Sequence, residues 1–126
     1  MRVIKTREFA KWAEKEGLLD ESLMKAINEI EVGLIDANLG GNLLKKRVSL
    51  GAKGKSSGLR TIIAYKSKDK YFFIYGYKKN KRSNISKIEL KALKKLGDFL
   101  IFMTNKDIIK AILAKELREL KHEKEK

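Results

Sequence analysis

A chain of 126 residues that is 43% apolar and 37% charged holds enough hydrophobic material for one folded domain with a modest core, which argues against a disordered chain. Its 30 Lys and Arg against 16 Asp and Glu leave a formal charge of +14, a field that attracts polyanions and speeds encounter with them without implying catalysis. The absence of Cys excludes a disulfide scaffold and a thiolate nucleophile, the start MRVIKTREF lacks the apolar core of a signal peptide, and no apolar run approaches membrane-spanning length. A soluble cytoplasmic protein with no membrane partner is expected, nucleic acid being the first polyanion to consider and an acidic protein the second.

In chain order, Arg2-Val3-Ile4-Lys5 is short enough for an edge strand. Thr6 can cap a helix running to about Lys15, with Phe9, Ala10 and Ala13 as its apolar stripe and Trp12 extending it as core packing. Gly17 closes that helix. Asp20 is placed to cap a second one over Glu21 to Glu31, with Leu19 and Met24 as a hydrophobic staple and Leu23, Ala26, Ile27 and Ile30 as the buried stripe. After Gly33, the segment Ile35 to Asn42 has the permissive residues of an ordered loop. Leu43 to Val48 then forms a strand near a sheet edge, because Lys45, Lys46 and Arg47 put charge on both of its faces.

Gly51, Gly54 and Gly58 punctuate the next loop, where backbone donors beside Lys53, Lys55 and Ser56 can form an anion nest. The Gly54-Lys55-Ser56 triplet is not a nucleotide-binding P-loop, since Ser49 stands where the earlier glycine is required and a strand, not a helix, follows. Leu59 to Tyr65 and Tyr71 to Tyr77 are rich in β-branched and aromatic residues and are joined by the polar turn Lys66 to Lys70, which reads as a β-hairpin. The cations entering it (Lys53, Lys55, Arg60) and leaving it (Lys78, Lys79, Lys81, Arg82) converge at its open end. Arg60 begins a strand and offers phosphate a planar two-donor face with few orientations. Phe72, Ile74 and Gly76 alternate against Tyr71, Phe73, Tyr75 and Tyr77, so one set enters the core and some tyrosines lie at the sheet surface, where Tyr75 or Tyr77 can stack a base.

Ser86 to Glu89 fits a capping box before a helix with Ile88, Leu90, Leu93 and Leu96 as packing positions, and Gly97 either weakens that helix or marks a close contact. Thr104 and Asp107 repeat the box before a last helix carrying Ile108, Ile109, Ile112, Leu113 and Leu117, which Leu120 completes. With no internal repeat or linker, residues 1–120 form a single α+β domain and residues 121–126 a charged tail.

Read together, Asp36 to Leu43 with Lys45-Lys46-Arg47-Val48, then Gly54 to Arg60, Phe72 to Asn80, Arg82-Ser83-Asn84-Ile85 and Glu89-Leu90, closely resemble the HigB-like branch of the RelE/ParE toxin superfamily. The resemblance spans nearly the whole chain. It implies a RelE-like fold, a small antiparallel sheet packed by N-terminal and C-terminal helices. It also implies a toxin neutralised by a cognate antitoxin and cutting translated mRNA at the ribosome, with no cofactor. The family's Gly-x-Arg position matches Arg60, its aromatic-Gly-aromatic-x-Lys-Asn segment matches Tyr75, Gly76, Tyr77, Lys79 and Asn80, and its Arg-x-Asn matches Arg82 and Asn84. Arg60, Lys79 and Tyr77 are thereby the catalytic candidates, although phenylalanine is common at the Tyr77 position. The RNA-binding candidates are Lys45, Lys46, Arg47, Lys53, Lys55, Ser56, Tyr75, Lys78, Asn80, Lys81, Arg82 and Asn84.

The sole histidine, His122, lies in the charged tail, so a paired-histidine ribonuclease reaction is not expected, and no clustered Asp/Glu set stands out for two catalytic metals. Metal-independent transesterification can instead place the RNA 2′-oxygen in line with the scissile phosphate, with Arg60 neutralising phosphorane charge and Lys79 or a neighbouring lysine orienting phosphate or moving a proton. A noncatalytic RNA- or ribosome-binding module, or a gyrase-directed toxin on a related fold, fits the same cations.

Overall fold

The hairpin is the centre of the sheet. The computed structural model describes residues 1–50, 58–67 and 69–120, and in it Leu59–Lys66 (β4) and Lys70–Lys78 (β5) pair antiparallel in an α+β fold. The full order of elements is β1 (Arg2–Thr6), α1 (Arg7–Lys15), α2 (Asp20–Glu31), β2 (Ala37–Gly40), β3 (Leu43–Val48), β4, β5, α3 (Lys87–Ile101), α4 (Asn105–Leu113) and β6 (Leu117–Glu119). The strands form one six-stranded sheet ordered β2-β3-β4-β5-β1-β6 in which only β1 with β5 is parallel. Helices cover both faces. On one side α1 and α2 bury Phe9, Ala13, Leu23 and Ile27 against Val48, Leu59, Ile63, Tyr71 and Phe73; on the other α3 and α4 bury Leu100, Ile101 and Ile108 against Leu43, Ile62, Ala64, Phe72 and Ile74.

Four expectations are corrected. β1 is interior, because Leu117–Glu119, expected to continue the last helix, instead turns at Lys115 (φ 62°) and adds β6 beside it. Ala37–Gly40 is a strand, since Gly40, Gly41 and Asn42 all take positive φ and fold the chain into a tight return to β3. Asp20 is the first helical residue and not the cap of α2; Leu19 occupies the cap without a side-chain hydrogen bond while the Asp20 carboxylate pairs with Lys5 at 2.7 Å. Ile88 does not pack, being 84% exposed on the outer face of α3. Both capping boxes form, Ser86 with Glu89 and Thr104 with Asp107. Gly97 marks a close contact: a Cβ there would come within 2.9 Å of Leu43 and 3.3 Å of Ala64, so its bareness lets α3 lie directly on the sheet.

Candidate nucleic-acid interface

The pairing register sets Arg47 on β3, Arg60 on β4 and Tyr77 on β5 directly opposite one another in a row across the sheet. Strict alternation along β5 would have sent Tyr75 and Tyr77 to the side opposite Phe72 and Ile74. A bulge prevents this: Ile62 pairs with Tyr75 and Ile63 with Phe73, so Ile74 is the extra residue and the phase of the strand inverts after it. Tyr75 and Tyr77 therefore join the α3 face, as do Ile62 and Ala64, with which Arg60 alternates. Gly76 is thrown to the α1 face, where Trp12 lies so close over the strand that a Cβ would come within 2.2 Å of its ring atoms. Trp12 is thus a packing residue that backs the site, and β5 is held from behind where its two tyrosines face forward.

Arg60 is largely buried, its side chain 11% exposed, and its Nε lies 3.6 Å from Oδ2 of Asp36. The same oxygen lies 3.3 Å from Nε of Arg47, whose side chain is half exposed. Beyond Tyr77 the guanidinium of Arg82 sits 5.9 Å from the ring centroid and forms a closed fork with Glu89 on α3, one arm at 2.8 Å and the other through Nη2 and Oε1. Arg82 also donates to the Tyr75 hydroxyl at 3.2 Å and to the Asn84 carbonyl at 3.0 Å, and Tyr75 in turn donates to Glu89 at 3.3 Å. The Arg82 guanidinium, followed by the backbone amide of Ser86, holds the Glu89 carboxyl down to about 2. Tyr77 is 4% exposed, and its hydroxyl finds no hydrogen-bond partner among the described residues. Burial raises its pKa above the ordinary tyrosine value against the opposing pull of Arg60 and Arg82.

Arg47, Arg60, Tyr75, Tyr77 and Arg82 are thereby brought to one face, and Lys45 shares it by alternation with Arg47 and by pairing with Ile62. Lys79 follows β5 at the open end of the hairpin, exposed, its amide donating to the Gly58 carbonyl at 2.8 Å. Asn80 and Lys81 are exposed in the turn after it, and the Asn84 side chain accepts from the Ile85 amide at 2.9 Å. Two expected RNA contacts point elsewhere. Lys46, 2% exposed, faces α2 and holds Glu29 at 2.9 Å, and Lys78 holds Glu16 of the α1 end at 3.1 Å. Alternation explains both, since each stands one residue away from a position on the α3 face. Lys53, Lys55 and Ser56 lie outside the described residues.

Sequence reasoning missed Asp36 as a site residue and gave Glu89 only its capping role. A signal for Asp36 was present in Ala37 to Asn42, where a short stretch with Leu39, two glycines and Asn42 separates it from β3 as a hairpin would. Among the described residues no three His, Cys, Asp or Glu side chains gather as a metal-binding group. A cavity of about 970 Å³ lies elsewhere, between α3, α4 and β6 with Phe99, Leu100, Phe102 and Met103 in its wall, and it is lined by none of the expected site residues. No helix among the described residues is long and apolar enough to cross a membrane. A family model described as the RelE toxin of the RelE / RelB toxin-antitoxin system matches residues 1–120. No curated protein matches the chain.

Proposed function

The chain belongs to the RelE toxin family, the toxin half of a toxin–antitoxin system, and from that premise we propose that it is a ribosome-dependent mRNA endoribonuclease of the HigB-like branch. The observation that carries this reading is the row of Arg47, Arg60 and Tyr77 on adjacent strands, with Arg82 over the tyrosine. Such a row lies along one sheet face as a strand of phosphates would, and strand-rooted guanidiniums keep their orientation when charge develops at phosphorus.

In the proposed reaction the 2′-hydroxyl gives its proton to a solvent water as its oxygen attacks the adjacent phosphorus. The bond from phosphorus to the 5′-oxygen breaks, and that oxygen takes up a proton. The products are a 2′,3′-cyclic phosphate and a 5′-hydroxyl end, without a metal or cofactor. Arg60 neutralises the phosphorane, Lys79 orients phosphate or supplies the proton at the open end of the hairpin, and Arg47 with Lys45 aligns the strand. Ribosome-held mRNA supplies the alignment that a chain without a histidine pair lacks.

The family pairs its toxins with a cognate antitoxin, and covering a face of this charge is the simplest way for that partner to block RNA. A noncatalytic ribosome-binding module is favoured by one observation, the burial of the Tyr77 hydroxyl, which keeps a phenol from the reacting atoms. End-labelled mRNA incubated with purified protein, with and without programmed ribosomes, separates the two. Cleavage only with ribosomes, leaving 2′,3′-cyclic phosphate ends, supports the nuclease; tight ribosome binding with intact mRNA supports the module.

A further inference from the structure

Arg47 and Arg60 stand directly opposite across β3 and β4, and like charges in that relationship repel. The fold answers with a carboxylate that sequence reasoning left in a loop. The Asp36 amide donates to the Lys45 carbonyl at 3.0 Å, which fixes the residue at the entry to β2. Its Oδ1 accepts the Arg47 amide at 3.3 Å, and its Oδ2 faces Nε of Arg47 at 3.3 Å and Nε of Arg60 at 3.6 Å. The Asp36 side chain is 19% exposed and lies within 3.6 Å of both guanidiniums that it neutralises.

The lengths of these contacts matter. A charge-assisted N–H···O bond closes to about 2.7–2.9 Å, as one arm of the Arg82 fork with Glu89 does at 2.8 Å. The Asp36 contacts are longer at both arginines and approach through Nε. They offset charge while leaving most of the five N–H donors that each guanidinium carries without a partner among the described residues and so open to an incoming oxyanion; the Arg60 Nη1 contact to the Leu59 carbonyl, at 3.4 Å, is equally loose. Arg82 is closed by its carboxylate, whereas Arg47 and Arg60 are neutralised yet still able to donate.

We infer that Asp36 is a positioning residue, a bracket that holds Arg47 and Arg60 side by side with their terminal amino groups presented to successive phosphate oxygens of the RNA. The inference rests on this face being the site of cleavage. Without the bracket the two side chains move apart under their own repulsion, so phosphate is still attracted but is no longer met in the geometry that the phosphorane requires.

The test is Asp36→Asn, which removes the charge and keeps the size. Single-turnover cleavage on saturating programmed ribosomes is expected to fall roughly ten-fold or more, the scale of an ångström-level misplacement. Affinity for a noncleavable 2′-O-methyl RNA is expected to hold or tighten, because the face has become more positive. In an Arg47→Gln background the same substitution is expected to cost less cleavage, since the repulsion it unmasks is gone. A carboxylate that merely competes with phosphate would give faster cleavage along with tighter binding, and a merely structural one would weaken both with a large fall in melting temperature; either result overturns the bracket. A wild-type chain that leaves ribosome-bound mRNA intact sinks the nuclease reading instead. The bracket is then still judged by the Arg60 Nε–Hε NMR signal, expected to be resolved in the wild type and exchange-broadened in Asp36→Asn, and unchanged if the bracket is absent.

Discussion

Glu89 closes the guanidinium fork of Arg82 with both carboxylate oxygens and, from the first turn of α3, accepts the Ser86 amide at 2.9 Å with one of the same oxygens. The capping box and the site are therefore one construction, and acid should take them apart together. The Glu89 carboxyl is depressed from 4.5 to about 2, first by Arg82 and then by the Ser86 backbone. A group depressed in the folded state contributes stability that is present above its unfolded value and is lost as pH falls through the folded one. The α3 N-terminus should hold at pH 5 and above, loosen between about 4.5 and about 2, and do so at the Glu89 carboxyl as followed by NMR. Glu89→Gln should abolish that transition. A Glu89 midpoint at 4.5 would mean that the fork is open in solution.

How much of this was legible beforehand follows from which interactions are local. Both capping boxes and the hairpin are written within a few residues, and Arg60 could be placed at the root of a strand from sequence alone. What escaped is set by distance or by phase. The bulge at Ile74 has no residue of its own to announce it, yet it decides that Tyr75 and Tyr77 face Arg60. Gly76 gives the clue only once Trp12 is known to lie against it. Leu117–Glu119 continues a helical pattern but gains more from pairing with β1, where the Leu120 amide also reaches the Val3 carbonyl at 2.8 Å. Lys46 and Lys78 looked equivalent to Lys45 and Lys79 because charge in a sequence carries no face until the register is fixed.

Lys46 separates these readings by experiment. Its ammonium is buried against Glu29 at 2.9 Å, so truncating it breaks a buried ion pair. Lys46→Ala should destabilise the fold by about 3 kcal/mol, the lower end of the scale for breaking a buried pair, while the salt dependence of RNA binding stays at its wild-type slope. Arg47→Gln should do the reverse: near-native melting, with the log–log salt slope shallower by about 0.7 for one lost phosphate contact on a single strand. A shallower slope for a well-folded Lys46 variant would return that lysine to the RNA surface.

Arg60 carries the proposed transition-state contact. Arg60→Ala should lower single-turnover cleavage on saturating ribosomes by roughly 10²-fold or more, appropriate to a lost phosphorane donor. Arg60→Lys keeps the charge and loses the planar fork, so it should recover only part of that rate. Circular dichroism must show both variants folded. Near-wild-type cleavage by folded Arg60→Ala would move the chemistry to Lys79 and the cations that follow it.

Tyr77 offers the opposite kind of test, because its stability and its activity point in different directions. Its hydroxyl is buried without a hydrogen-bond partner among the described residues, an arrangement that costs about 1–3 kcal/mol relative to a satisfied group. Tyr77→Phe keeps the ring over which Arg82 lies and removes only that oxygen, so it should raise stability by about 1 kcal/mol, read as a higher denaturation midpoint at unchanged slope. If the ring alone matters, as platform for Arg82 and wall for Arg60, cleavage should stay within a few-fold of wild type. Tyr77→Ala should then lose both stability and activity, because the guanidiniums on either side lose the surface that spaces them. A more stable Tyr77→Phe protein whose cleavage drops by roughly 10²-fold, the scale of a lost general acid or base, would show that the phenol is strained in the free chain for use on the ribosome. In that case burial, which raises its pKa, keeps the phenol protonated, so its role would be giving a proton to the leaving oxygen and not taking one from the 2′-hydroxyl.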